Sequence, residues 1–116
     1  MILEIFCGAL LLTTLASAAG WPVSQPTDIR LDGTDLLRSE GRRLIEEQID
    51  RDDPFCCVIP FPCGPWNSLT YFNAARYPSF AIRNEETQKE HIPMLKWIAK
   101  IARRRIEKGR LVLLEN

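Results

Sequence analysis

Continuous apolar runs that each stop at a polar or reactive group constrain this chain more than any other feature. Ile2-Leu3-Glu4-Ile5-Phe6 ends at Cys7-Gly8, a weaker run over residues 21–29 contains Asp28, Pro54 to Phe61 ends at Pro62-Cys63, and Leu111 to Leu114 ends at Glu115-Asn116. Runs of this length suit strands buried on both faces, the condition of a parallel sheet. In open parallel sheets, ligands bind in the crevice beyond the carboxyl ends of the strands. A series of acids, glycines and a thiol at strand ends therefore predicts a built site.

Helical segments separate the runs. Residues 9–19 are rich in Ala and Leu, with Gly20 at a helix stop. Leu37, Leu44, Ile45 and Ile49 recur at helical spacing, although Gly41 weakens that segment. Met94, Leu95, Ile98, Ile101, Ala102 and Ile106 give the clearest stripe, over residues 87–108, which Gly109 stops. Pro22 and Pro26 make the second run irregular or edge-like. From Pro62 to about Asn84, the Pro, Gly, Asn and aromatic content reads as a long loop with one helical turn. Strands alternating with helices predict an α/β domain with a mostly parallel sheet flanked by helices. With 116 residues there is room for one core.

Net charge is zero, from 15 basic and 15 acidic side chains, and so points to no partner. Residues 94–110 nevertheless carry seven basic side chains against one acid, while residues 30–53 lean acidic. The basic stretch reads as a solvated helix end, with phosphate contact as the alternative.

Ile5 to Ala19 also resembles the apolar core of a signal peptide, with Ala16-Ser17-Ala18 as a cleavage site. Glu4 stands in the leader with no Lys or Arg, and cleavage would leave the odd set Cys56, Cys57 and Cys63. Adjacent Cys56 and Cys57 point to opposite faces of a strand and would not pair undistorted. Reduced thiols in a cytoplasmic or nuclear compartment are expected, with export as the alternative. No run reaches the roughly 18 apolar residues of a membrane span. The cysteine spacing suits no zinc site, and His91, the single histidine, reads as structural.

Taken together, the motifs resemble those of the cytosine-5 DNA methyltransferase family. Phe6-Cys7-Gly8-Ala9, Leu12 and Ala19-Gly20-Trp21 are similar to its first motif, Phe61-Pro62-Cys63 to its catalytic F-P-C-Q loop, and Glu115-Asn116 to the start of its E-N-V motif. The resemblance implies a Rossmann-like fold, here an incomplete one, that binds S-adenosylmethionine through Phe6, Gly8, Asp28, Asp35 and Pro62. It implies DNA as partner, Cys63 as the nucleophile on carbon 6 of a flipped cytosine, and Glu115 as the group holding the ring at nitrogen 3 and the amino group. The chain departs from the family where Leu10-Leu11 replaces paired glycines, which is expected to crowd the cofactor, and where Gly64 replaces glutamine. Only six residues separate Asp28 from Asp35, and the target-recognition region and final strands are not in the sequence. The resemblance therefore implies a fragment or a diverged relative, with a non-catalytic binding or scaffolding module as the alternative and a secreted protein with a signal peptide at 1–19 as a third reading.

Overall fold

A computed structural model describes residues 1–62 and 64–115. Three parallel strands, β1 (Ile2–Glu4), β2 (Cys56–Pro60) and β3 (Leu111–Glu115), lie side by side in that order. Leu3 pairs with Cys57 and Cys57 with Val112, so these residues share one face. That face is the core: Leu3, Ile5, Cys57 and Ile59 are fully buried. They pack under Ile45 and Ile49 of α3 (Ser39–Asp52) and under Met94, Trp97, Ile98 and Ile101 of α5 (Pro78–Glu107). Each such side chain contributes roughly 1.5–3 kcal/mol of apolar transfer, and the helical stripes exist because these faces have a sheet to cover.

The remaining helices are α1 (Leu11–Ala18), the single-turn α2 (Ile29–Asp32) and α4 (Ser68–Arg76). Beyond β1, on the side away from β2, runs the second apolar segment, held by isolated parallel bridges Ile2↔Val23 and Ile5↔Thr27. Pro22 and Pro26 have no N–H to donate, so this segment touches β1 without forming a full ladder. From β1 the chain thus goes to one side and then crosses to β2 on the other, and the order of neighbours reverses at β1.

Three expectations need correction. The middle strand of the three-stranded sheet is β2, not the first strand; β1 is an inner strand only when the bridged segment is counted. β3 is not buried: Leu111 and Leu113 are 55% and 57% exposed, because it forms the sheet edge and no helix covers that face of it. Apolar content alone does not say what covers a strand. Residues 64–84 are largely helical rather than a loop. A 3₁₀ turn at Gly64–Trp66 leads into α4, which Asn67 caps by accepting from the Thr70 N–H at 2.8 Å. Pro78 then opens α5 nine residues before the expected start, at a position where its missing N–H costs no helical bond. Within residues 5–19, helical structure is confined to Leu11–Ala18, in keeping with a strand followed by a separate helix.

The acidic and basic segments meet each other. Glu46 takes Lys100 at 3.2 Å and Arg104 at 3.6 Å, while Asp50 takes Arg104 at 3.5 Å. Asp53, the left-handed residue ending α3, takes Arg105 at 2.9 Å, Lys108 at 3.2 Å and Arg110 at 2.5 Å. Five of the seven basic side chains in residues 94–110 are thereby matched within the fold, which leaves little of that stretch as a patch for phosphates. Among the described residues, no helix is long and apolar enough to cross a membrane.

Candidate functional site

At the carboxyl end of β1 the backbone turns sharply. Phe6, Gly8 and Leu10 have φ of 60°, 50° and 60°, left-handed values that cost a side-chain-bearing residue about 1–2 kcal/mol. Strain of this kind clusters at binding sites. The turn is over-determined by two acids. Asp28 caps α2 by accepting from the Arg30 N–H at 2.8 Å, and its second oxygen accepts from the Gly8 N–H at 3.1 Å. Buried Glu4 accepts from the Thr13 N–H at 3.0 Å and its hydroxyl at 2.6 Å, closing the first turn of α1.

This turn forms one wall of a cleft of about 360 Å³. Phe6, Asp28, Asp35 and Pro62, four of the residues singled out from the sequence, all line it, together with His91 and Met94 of α5. Gly8 stands behind Asp28 as its hydrogen-bond donor. Asp35 is held by the Leu37 N–H at 3.0 Å and faces Arg38 at 3.4 Å. Each carboxylate keeps lone pairs beyond those used internally, and the apolar walls from Phe6, Pro62 and Met94 suit a flat ring. The position, at the reversal of strand order, is where open parallel sheets bind ligands.

Leu10 and Leu11 do not crowd this cleft. Neither lines it, and Leu11 is 67% exposed, because the left-handed turn at Leu10 directs α1 away. Glu115 does not line it either; it closes β3, exposed, with its backbone carbonyl accepting from the Phe61 N–H at 3.0 Å. That bond places Glu115 beside the segment leading to Cys63. Cys63 itself, the candidate nucleophile, and Asn116 lie outside the described residues.

At the other three cysteines burial disfavours the thiolate. Burial pushes the Cys57 thiol up to about 11. Burial raises Cys7, reinforced by the nearby Asp28 and Glu4 charges, and burial also raises Cys56. A protonated thiol is a poor nucleophile and metal ligand. Among the described residues, no cluster of three or more His, Cys, Asp or Glu could hold a metal.

Two residues of this region were not assigned to the site from the sequence. Glu4 is a lone acid within an apolar strand, a signal available but not weighed for the site. His91 reads as structural in the sequence, because only the folding of α5 over the sheet brings it to the cleft. Comparison with known proteins found no matching family, no similar curated protein and no similar solved structure.

Proposed function

We propose that this domain is a Rossmann-like, cytosine-5 DNA methyltransferase-like unit whose cleft at the end of β1 takes S-adenosylmethionine. One observation carries the reading: Phe6, Asp28, Asp35 and Pro62, chosen from separate motifs, surround one cleft at the reversal of strand order. The residues suit the cofactor in kind. The Asp28 carboxylate can accept from a ribose diol, Asp35 from an amino group, and Phe6 and Met94 offer apolar faces to a purine. The cofactor's contribution is an electrophilic methyl group.

In this reading the chain's own residues prepare the acceptor. The Cys63 thiolate bonds to carbon 6 of a flipped cytosine, making carbon 5 nucleophilic. Glu115 accepts from the amino group and, carrying a proton, donates to nitrogen 3, offsetting the negative charge that develops on the ring. A non-catalytic binding module is the second reading, favoured by the exposed position of Glu115 away from the cleft.

Calorimetry with S-adenosylhomocysteine tests the cleft, with binding expected and a fall of at least roughly tenfold, or about 1.4 kcal/mol, in Asp28→Ala. DNA containing 5-fluorocytosine tests the chemistry in the presence of cofactor, with a covalent adduct expected at Cys63 and none in Cys63→Ser. Binding without an adduct selects the binding module. Absence of cofactor binding removes the methyltransferase reading and leaves a scaffolding module.

A further inference from the structure

We propose that His91 is a ligand-contacting, specificity-determining residue of the cleft, supplying a hydrogen-bond donor alongside Asp28 and Asp35; this rests on the cleft being a nucleoside site. His91 stands on α5 and lines the same cleft as Phe6 of the β1 turn. It is placed there by more than its own helix. Trp66 meets it edge-on with ring centres 6.0 Å apart. One and two helical turns earlier, Gln88 and Asn84 donate to the Pro65 carbonyl at 2.9 and 3.2 Å. A stripe along α5 therefore pins the Gly64–Trp66 turn and sets the orientation of the imidazole.

The polar atoms of His91 are not equivalent. Nδ1 is buried and has no hydrogen-bond partner among the described residues. A buried polar atom without a partner costs about 1–3 kcal/mol, whether it stands there as donor or as acceptor, so the protein leaves hydrogen-bonding capacity of this ring unused. An imidazole keeps an N–H donor in either tautomer. The cleft then has carboxylate acceptors on the β1–α2 side and a ring able to donate on the α5 side. A nucleoside matches that polarity, with ribose hydroxyls or an exocyclic amine facing the carboxylates and a ring nitrogen or carbonyl facing His91.

Because His91 is the single histidine, one imidazole Cε1–H resonance reports on it directly in the unmodified 116-residue chain. Titration with S-adenosylhomocysteine is expected to shift that resonance in step with calorimetric binding. His91→Ala should weaken binding at least tenfold, while His91→Gln, whose amide can supply a donor near the Nε2 position, should stay within about threefold. Thermal unfolding checks that each variant folds, and the resonance on the unmodified chain stands where one does not. Binding that leaves the resonance unmoved overturns the role of His91 and leaves the cleft reading intact. Absence of any binding overturns both.

Discussion

Gly41→Ala is expected to destabilise the fold and weaken the cleft, although alanine is the better helix former. Gly41 is buried in the first turn of α3. A Cβ there would stand 2.1 Å from the Asp35 carbonyl oxygen, 2.7 Å from its carbon and 3.2 Å from its nitrogen. These are backbone atoms, so no side chain can swing aside. Alanine gains about 1 kcal/mol in helix propensity over glycine. Overpacking typically costs about 1–3 kcal/mol, and a contact this short sits at or beyond the upper end, for a net loss of about 2 kcal/mol. Relief requires Asp35 to move, and Asp35 lines the cleft, so ligand affinity should fall with stability. Urea unfolding and calorimetry on Gly41→Ala would show both losses. Gly64→Ala, where an added Cβ meets nothing within 4 Å, serves as the neutral comparison. A Gly41→Ala protein as stable as the parent would mean that α3 and the Asp35 loop separate freely.

The second large effect is expected at Asp53. Its carboxylate joins the end of α3 to Arg105, Lys108 and Arg110, and Arg105 is 4% exposed. Arg105 also donates to the Pro54 carbonyl at 2.5 Å. Asp53→Asn keeps a side chain that tolerates the left-handed φ of 43° while removing the charge. The buried guanidinium would then lose its counter-ion, the costly way to break such a pair. Asp53→Asn should therefore unfold at clearly lower urea than Asp50→Asn, whose pairing is more exposed.

Acid should act through the same group. The hydrogen bonds from Arg110 and Arg105 hold the Asp53 carboxyl well below its ordinary value of 3.8. Its stabilising effect is therefore complete above that value and is lost as pH falls through the depressed folded one. Asp52, lowered by the Ser24 and Arg51 hydrogen bonds, acts in the same direction. So does Glu46, where burial opposes but the Trp97 and Lys100 hydrogen bonds prevail. Stability should decline steadily below about pH 4, and Asp53→Asn should flatten that decline. An unchanged acid limb in the variant would assign the acid sensitivity to other carboxylates.

The three strands and the helical segments at α1, α3 and α5 were legible in the sequence, because each rests on local chemistry, whereas Phe6, Gly8, Asp28, Asp35 and Pro62 were chosen through a family resemblance. Apolar runs at Ile2–Phe6 and Pro54–Phe61 are long enough for strands, α3 and α5 carry periodic stripes, and Asp28 and Gly8 sit where a chain must turn. What covers each element was not legible. β3 reads as buried but is an exposed edge, since burial depends on neighbours that the run itself does not encode. The α4–α5 region reads as loop because Pro and Asn are punctuation in a sequence, yet Asn67 caps α4 and Pro78 starts α5. Seven basic side chains read as a solvated helix end until α3 and α5 pack together and five of them meet acids some fifty positions earlier. The sequence by itself determined which residues could form a site at the ends of strands. Tertiary structure alone decided that Phe6, Asp28, Asp35 and Pro62 share a cleft with His91, because contacts between distant segments follow from how the helices fold back over the sheet.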